Sequence, residues 1–371
     1  MPGPLVAIFH QAPRDGDAPL IRLLAEARSA LLAHQVPLFE RAGAGRVAVL
    51  PGRDPLAKSP ESFGERLARL VHEEPAAARG LIVMGSGAVP LLRPADAQRL
   101  VAAALEAGRV ALTNNRYSSD VCAMSDTKVL RELPPLPSDN ALPRWLAEAA
   151  GFQVRELPGR DRLAVDLDTP LDLALVALAH GAPAPLRRLA AASGSAIPRL
   201  AELRQLAADP GRELLIAGRS GSRTLHWLER NVRCRVRFLS EERGLRASSP
   251  LAIGGAQAHR TRNVRPPRSS LGRLLDLRGP GALAASVAEL ADGAIIDSRV
   301  LLADRLGADE EGWPSAEDRF ASDLLRPDSI DDAWLAELTH AAAGSRLPIL
   351  LGAHSIVGPG VRLLLRAAGR P

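Results

Sequence analysis

Short apolar runs alternate with helical patterns through the first half of this sequence. The apolar runs, each four to six residues long, lie at 5–9, 46–50, 80–85 and 109–112. Helical patterns fill the intervals, at 20–34, 63–72 and 95–107. Strand–helix alternation of this kind is typical of a mostly parallel sheet with helices on both faces. The runs are continuously apolar, as expected for strands that are buried on both sides.

The second half of the sequence begins the alternation again. Apolar runs predict strands at 213–218, 233–239 and 348–352, and helical patterns cover 281–304, 315–325 and 331–343. A further short strand is predicted at 162–165, before a helix at 171–180. Proline and alanine around 181–185 place a domain boundary between 181 and 210. We therefore expect an α/β fold with a Rossmann-like, mostly parallel sheet domain at 1–185 and a smaller mixed α/β domain at 210–371.

The composition excludes several classes of protein. Of the 371 residues, 46% are hydrophobic and 24% are charged, which is typical of a globular chain rather than a disordered one. The sequence contains no apolar run of the roughly 18 residues that a membrane span needs, and its N-terminus lacks the pattern of a secretory signal. The two cysteines, Cys122 and Cys234, have no zinc-binding spacing. We expect a cytoplasmic protein without a membrane partner, whose oligomeric state the sequence leaves open.

The charge balance argues against a nucleic-acid partner despite its basic sign. The formal net charge is +5, and because nearly all of the positive charge is arginine, the pI rises to about 10.1. Stacking on bases needs exposed aromatic side chains, yet only 3% of the residues are aromatic. The one concentrated basic stretch, 259–268, is interpreted either as a loop or as a contact for phosphate or another polyanion.

Four segments of the first half carry a resemblance to known enzymes. They are FGERL at 63–67, LIVMGSGAVPLLRP at 81–94, the segment 137–149, and DLDTPLDL at 166–173. The last is the most specific, being close to the pattern Asp-x-Asp-Thr-Pro-x-Asp-Leu. Taken in order, these segments resemble the nucleotidyltransferase-like families built on the GT-A fold, including 2-phospholactate guanylyltransferase and the molybdenum-cofactor guanylyltransferases.

That resemblance implies a reaction and a set of residues that perform it. The reaction is metal-dependent transfer of a nucleotidyl group from a nucleoside triphosphate to a small phosphorylated or acidic acceptor. Mg²⁺ or Mn²⁺ would neutralise charge on the phosphate oxygens and would take carboxylate ligands. By the resemblance, Asp166 and Asp168 would hold this cation, Asp168 would be catalytic, and Arg14 would contact the triphosphate.

Two segments are predicted to bind the substrates. Gly85 and Ser86 lie in the segment that resembles the families' strand and loop. A polar stretch, 113–120, follows the next predicted strand, and its residues Asn114, Asn115 and Arg116 are predicted to line the acceptor side. Ligands of open α/β sheets bind where strands end in this way. The alternative interpretation is a turn stabilised by its asparagine side chains.

The sequence departs from the family pattern at two places. The first metal-binding carboxylate would stand at position 88, which is Ala88, and the nearest oxygen-bearing side chain in that loop is Ser86. The N-terminal loop at 10–17 lacks the glycines of a phosphate cradle. Two alternatives therefore stand beside the transferase, namely a catalytically silent GT-A-like module for binding or assembly, and a sugar-nucleotide-dependent glycosyltransferase.

Several patterns have a structural interpretation beside a functional one. The residues before 170 would cap a helix that has proline in its first turn. Arg219 and Arg223, with the charged segment 241–244, predict either an anion contact at a helix N-terminus or a salt-bridged turn. The charged residues of 297–299 and 318–323 likewise predict either an anion contact or a group of salt bridges. The segment GAHSIVGPG at 352–360 lacks the Gly-x-Ser-x-Gly spacing of a nucleophile elbow and is interpreted as a glycine turn.

Overall fold

Two separate β-sheets organise the chain, in agreement with the two rounds of strand–helix alternation. The structure is a computed structural model that describes residues 3–52, 61–74, 79–136, 139–194, 197–241, 267–307 and 309–366. Residues 3–13 and the described residues of 25–167 form a first unit. Residues 14–24 belong to a second unit, together with the described residues of 168–241 and 267–366.

The first unit contains a six-stranded sheet. Its strands are β1 (Leu5–His10), β2 (Arg46–Pro51), β3 (Leu81–Gly85), β4 (Val110–Thr113), β5 (Val121–Met124) and β6 (Gln153–Glu156). Their spatial order is β2-β1-β3-β5-β4-β6. All neighbours pair in parallel except β5, which runs antiparallel to both β3 and β4. The sheet is therefore mixed but mostly parallel, as expected.

Helices pack on both faces of the first sheet, which confirms the layered arrangement. They are α1 (Pro19–Arg41), α2 (Phe63–Glu73), α3 (Pro94–Ala104), α4 (Leu142–Glu148) and α5 (Arg160–Leu163). Alternate residues of β1 enter different cores. Leu5 joins Leu67 of α2 and Leu142 of α4 in one buried cluster, and the next residue, Val6, joins Leu100 of α3 in the other. This period of two is the side-chain geometry of a strand covered on both sides.

The second unit contains a smaller sheet in which all neighbours are parallel. Its strands are β7 (Glu213–Gly218), β8 (Arg235–Ser240), β9 (Gly293–Asp297) and β10 (Ile349–Gly352). Their spatial order is β10-β9-β7-β8, so that β7 lies between β9 and β8. Later strands of the chain are therefore added on both sides of β7.

Helices connect and cover the strands of the second sheet. They are α6 (Pro170–Ala177), α7 (Ala184–Ala192), α8 (Pro198–Ala208), α9 (Ser222–Asn231), α10 (Ser270–Arg278), α11 (Leu283–Ala288), α12 (Ser298–Leu306), α13 (Ala316–Asp323), α14 (Ala333–Gly344) and α15 (Pro359–Leu365). One large apolar cluster joins Leu215 of β7 and Ile296 of β9 to Leu275 of α10 and Leu335 of α14.

Two sequence-based element predictions are corrected by the structure, and two strands escaped prediction. The helical pattern at 281–304 contains strand β9, because a short apolar run cannot be distinguished from a buried helix by periodicity alone. The predicted strand at 162–165 overlaps the end of helix α5. Strands β5 and β6 were not predicted. Helices α7 and α8 lie within 181–210, the segment in which the sequence predicts the domain boundary.

None of the helices in the described part of the chain combines the length with the apolar character that crossing a bilayer requires.

A buried ion pair links two helices of the second unit. Both guanidinium NH groups of Arg299, in the first turn of α12, lie 2.7 Å from the carboxylate oxygens of Asp323 at the end of α13. The Arg299 and Asp323 side chains are 6% and 0% exposed. A pair this deeply buried is costly to break, because removal of one partner leaves an uncompensated charge.

We expect Asp323→Ala to lower the free energy of unfolding by about 3–5 kcal/mol, as measured by urea denaturation. Glu148→Ala is the matched control, since it breaks an exposed i,i+4 pair with Arg144 and should cost less than about 1 kcal/mol. The double variant Arg299→Met with Asp323→Leu should recover most of the loss. Equal losses in the Asp323→Ala and Glu148→Ala variants would contradict this account of the pair.

Candidate functional site

The carboxyl end of the first sheet carries the polar side chains of the candidate site. Strands β1, β3, β4 and β6 point the same way, since β5 is antiparallel to each of its neighbours. The strand order reverses at β1, because the chain places β2 on one side of β1 and β3 on the other. In open α/β sheets, ligands bind outside the carboxyl ends of the strands at such a reversal. The crevice between the ends of β1 and β3 is therefore the candidate site.

The two strands at the reversal end in side chains that contact each other. His10 is the last residue of β1, and Ser86 directly follows β3. The Ser86 N–H donates to the carbonyl oxygen of Phe9 at 2.9 Å, which extends the strand pairing by one residue. The Ser86 hydroxyl lies 2.9 Å from Nδ1 of His10. Ser86 is 3% exposed, so the structure places this predicted binding residue within a buried hydrogen bond.

A second serine contacts the other nitrogen of the His10 ring. The Oγ atom of Ser29, on α1, lies 3.3 Å from Nε2 of His10 and 2.9 Å from the carbonyl oxygen of Ala25. Burial and, after it, the positive charge of Arg28 lower the pKa of His10 from its ordinary value. The lowered pKa favours the neutral form of the imidazole. Neither His10 nor Ser29 was predicted from the sequence as a site residue.

The loop after β3 is held in a strained conformation. Val89 has a φ of +43°, which is unusual for a β-branched residue. The buried amide of Gln35 donates to the carbonyl oxygens of Ala88, at 2.8 Å, and of Val89, at 3.4 Å. Strained backbone of this kind persists only where its surroundings enforce it, and it is concentrated at functional sites.

Arg28 fixes the same loop from its other side. A Cβ atom at Gly87 would lie only 3.0 Å from Nε of Arg28 and 3.1 Å from the carbonyl oxygen of Leu167, so the close approach favours glycine. Nε of Arg28 donates to that carbonyl oxygen at 2.8 Å, and the Leu167 N–H donates to the carbonyl oxygen of Gly87 at 2.9 Å. Leu167 is thereby held against the β3 loop, with Asp166 directly before it in the chain.

The predicted acceptor residues follow β4, at the same edge of the sheet. Asn114 is fully buried, and its amide donates to the Asp120 carboxylate at 2.6 Å and to the Leu163 carbonyl oxygen at 2.8 Å. Its carbonyl oxygen accepts from the N–H groups of Asp120 and Val121. Asn114 therefore holds the turn together.

The two residues after Asn114 are more accessible. The Asn115 side chain accepts from the Tyr117 N–H at 3.0 Å, and the Arg116 N–H donates to the Glu156 carboxylate at 2.9 Å. Both residues are half-buried. The stretch 113–120 thus contains the predicted turn stabilised by asparagine side chains. It also lies at the end of β4, where the sequence predicts a ligand site.

The segment 166–173 contains the helix cap that the sequence predicted. Thr169 is the N-cap of α6, Pro170 is in the first turn, and Thr169 and Asp172 form a reciprocal capping box. One oxygen of Asp172 accepts from the N–H groups of Asp168 and Thr169 and from the Thr169 hydroxyl. The other oxygen accepts from the hydroxyl of Ser355. Both carboxylate oxygens of Asp172 therefore take part in hydrogen bonds at the start of α6.

The predicted metal and phosphate residues are not all in one unit. Asp166 is half-buried in the first unit, whereas Asp168 and Arg14 are exposed residues of the second. The Arg14 N–H donates to the Asp17 carboxylate at 2.8 Å. Among the described residues there is no group of three or more His, Cys, Asp and Glu side chains that could hold a metal ion. Ala88, in the position expected for a carboxylate, is 5% exposed.

The charged patterns of the second half form ion pairs. Nε of Arg219, after β7, lies 2.6 Å from the carboxylate of Asp297, at the end of β9. Gly218 has a φ of +135°, and a Cβ there would lie 2.3 Å from Cβ of Asp297. Arg299 pairs with Asp323, as described above. For Arg219 and for 297–299, the salt-bridged interpretation is the one that the contacts match.

Some of the predicted segments lie outside the described residues. These are Pro137 and Ser138, residues 242–244 of the charged segment, and the basic stretch as far as Pro266. The segment 352–360 is described and forms a short 3-10 turn, His354–Val357, before α15. Its Ser355 serves the cap of α6.

The chain was compared with known proteins. No protein-family model matches it, and no curated protein matches it significantly.

The cap of α6 gives a testable pH dependence. Burial raises the pKa of Asp172 to about 7. The hydrogen bonds from Ser355 and Thr169 oppose this rise, and the charge of Asp168 adds to it. Because the folded-state pKa is the higher one, the stabilisation from the protonated carboxyl is fully present at low pH and is lost as the pH rises through about 7. In the unfolded chain, by contrast, the Asp172 carboxyl has its ordinary pKa of 3.8.

We expect Asp172→Asn, which stays neutral, to lose less stability than the natural chain between pH 5 and pH 8. The difference should reach a few kcal/mol, since one pKa unit corresponds to about 1.4 kcal/mol. The measurement is the free energy of unfolding as a function of pH. Asp331→Asn, a change at an exposed carboxylate, should keep the natural slope. If the free energy of unfolding of the Asp172→Asn variant depended on pH as strongly as that of the natural chain, Asp172 would be ionised over this whole pH range.

Proposed function

We propose that the first unit binds a nucleoside triphosphate at the carboxyl edge of its sheet, and that the protein transfers the nucleotidyl group to a small phosphorylated acceptor. The observation that carries the proposal is the reversal of strand order at β1, where His10 and Ser86 meet. Reversals of this kind form the ligand crevice of open α/β sheets. The resemblance of the four sequence segments to nucleotidyltransferase-like families supports a nucleotide as the ligand.

The turn after β4 supports an anionic acceptor at the same edge. Nε of Arg116 is buried and has no hydrogen-bond partner among the described residues. A buried guanidinium nitrogen without a partner is costly, and a phosphate oxygen would satisfy it. We therefore assign acceptor binding to Arg116 and Asn115, whereas Asn114 keeps the turn in place.

The residues proposed for the cation differ in how well they fit one. The third carboxylate of the segment, Asp172, does not fit a cation, because one of its oxygens accepts from the Thr169 N–H and the other from the Ser355 hydroxyl. Asp168 is exposed, and Asp166 precedes the residue that is bonded to the β3 loop. Mg²⁺ usually takes one or two carboxylates and completes its shell with water and substrate phosphates. Asp166 and Asp168 thus remain the proposed ligands, and a bound Mg²⁺ or Mn²⁺ would neutralise charge on the triphosphate.

The other chain residues of the proposal bind and orient the substrates. Arg14, an exposed arginine, is proposed to contact the triphosphate through its planar guanidinium. Gly85 ends β3 and leaves room above the sheet, because a Cβ there would meet no atom within 4 Å. Ser86 and His10 lie in contact at the ends of β1 and β3, where the nucleotide is proposed to bind.

We expect one nucleoside triphosphate to raise the melting temperature in a metal-dependent way. At about 100 times its Kd, a ligand adds roughly 2.7 kcal/mol to stability. The measurement is a thermal-shift panel of ATP, GTP, CTP and UTP, each with and without Mg²⁺ or Mn²⁺. No shift with any of the four would contradict the proposal.

Turnover should depend on Asp168. We expect Asp168→Ala to abolish metal-dependent release of pyrophosphate, while its melting temperature stays within a few degrees because the side chain is exposed. Asp331→Ala removes another exposed carboxylate of the second unit and should retain activity. Full activity in the Asp168→Ala variant would exclude Asp168 as a metal ligand.

A second candidate function is a catalytically silent binding module. Ala88 favours it, because an apolar, buried methyl group stands where the resemblance expects a metal-binding carboxylate. This candidate predicts a thermal shift with nucleotide and no release of pyrophosphate under any metal. Metal-dependent turnover by the natural chain would exclude it.

A further inference from the structure

We propose that Ser86 is a nucleophile, that His10 is its general base, and that Ser29 fixes the orientation and tautomer of the His10 ring. The substrate named below rests on the proposed function, whereas the activation of Ser86 rests on geometry alone. A nucleophile within reach of a base that is itself oriented by a third group is the general pattern of covalent catalysis.

The position of the proton on the His10 ring follows from Ser29. The Ser29 Oγ atom is 2.9 Å from the carbonyl oxygen of Ala25, one helical turn earlier, and 3.3 Å from Nε2 of His10. Its single hydroxyl proton serves the nearer, stronger acceptor, as serines in helices commonly do. Oγ of Ser29 can then only accept from His10, so Nε2 carries the ring proton.

A neutral imidazole with its proton on Nε2 has a lone pair on Nδ1. The Ser86 Oγ atom lies 2.9 Å from that nitrogen, and it must therefore donate. The Ser86 hydroxyl is thus bonded to an acceptor that can take its proton. Burial and the neighbouring Arg28 lower the pKa of His10, which keeps this lone pair available at neutral pH.

The surroundings of Ser86 match those of a reacting group. It follows directly on β3, at the point where the sheet order reverses. Its exposure of 3% keeps bulk water from the hydroxyl. The strain at Val89, enforced by the Gln35 amide, fixes the loop that continues from it. Ser86 is therefore positioned before any substrate arrives, which lowers the entropic cost of reaction.

The proposed step transfers the nucleotidyl group to the serine. Oγ of Ser86 forms a bond to the α-phosphorus of the nucleoside triphosphate, and its proton moves to Nδ1 of His10. The bond from the α-phosphorus to the oxygen bridging it to the β-phosphorus breaks, and pyrophosphate leaves. An oxygen of the acceptor phosphate then attacks the same phosphorus. The Ser86 oxygen leaves and takes its proton back from His10.

Two probes test this inference on the full chain. The first is each of ATP, GTP, CTP and UTP with Mg²⁺, followed by intact-mass measurement and peptide mapping. The second is a small dialkyl fluorophosphate, whose phosphorus bonds to an activated serine oxygen as fluoride leaves. We expect both modifications on Ser86 and neither in Ser86→Ala. Ser329→Ala removes an exposed serine of the second unit and should be labelled at the natural rate.

Variants of His10, the base, and of Ser29, the positioning residue, should change the labelling of Ser86 in different ways. His10→Gln should slow labelling about 10²–10⁴-fold, the usual contribution of a general base, and His10→Ala serves as a second variant if the first fails to fold. Ser29→Ala should also slow labelling and should shift its pH profile, because the tautomer is no longer fixed. Ser29→Thr keeps the hydroxyl and should restore the natural profile. An unchanged rate in the His10 variants would overturn the assignment of the base.

The outcomes separate this inference from the proposed function. A thermal shift with a nucleotide, combined with no labelling of Ser86 by either probe, overturns the inference and leaves nucleotide binding intact. Labelling of Ser86 by the fluorophosphate without any nucleotide shift confirms the activated serine and overturns the nucleotide as its substrate. Labelling by both probes supports the inference in full.

Discussion

Each unit of this protein is organised around the strand at which the strand order reverses, and that strand pairs in parallel on both of its sides. In the first unit this strand is β1, between β2 and β3, and in the second it is β7, between β8 and β9. The crossover helices that connect parallel strands cover both faces of such a strand, which explains why β1 and β7 are continuous apolar runs. Parallel pairing on both sides also sends the following connections in opposite directions, so that polar residues gather at the carboxyl ends. The crevices at β1 and β7 are consequences of this constraint.

The two crevices differ in the chemistry of their side chains. At β7, Arg219 and Asp297 form a close ion pair, and each charge already has its partner. At β1, by contrast, the contacts join hydroxyl groups to a neutral imidazole. Burying neutral groups beneath a ligand costs far less than separating an ion pair. This difference supports the proposal that the ligand binds at the first sheet.

Apart from β5 and β9, the sequence predicted the strands that are continuous apolar runs. Strands β1, β3 and β7 are of this kind. Strand β6 was missed because QVRE alternates polar and apolar residues, and β9 was missed because its apolar run merges with the helical patterns on both sides. Periodicity describes local structure, and the pairing that makes β9 a strand is between residues distant in the chain.

The site was predicted in part for the same reason. Gly85 and Ser86 were found through a motif, and the cap at 169–172 was found through its residue types. The contact between His10 and Ser86 spans 76 positions of the chain, and only the pairing of β1 with β3 brings these residues together. His10 stands at the end of an apolar run, which is a detectable signal. To predict the contact of Ser29 with His10, one must know which face of α1 packs on the sheet, and the sequence does not provide this.

A crystal structure of the full chain with a non-hydrolysable nucleoside triphosphate and Mg²⁺ would test the central claim most directly. The account predicts a nucleotide at the reversal between β1 and β3, with its α-phosphate beside the hydroxyl of Ser86. A nucleotide seated instead at the carboxyl end of β7, beside Arg219, would contradict the assignment of the site to the first sheet.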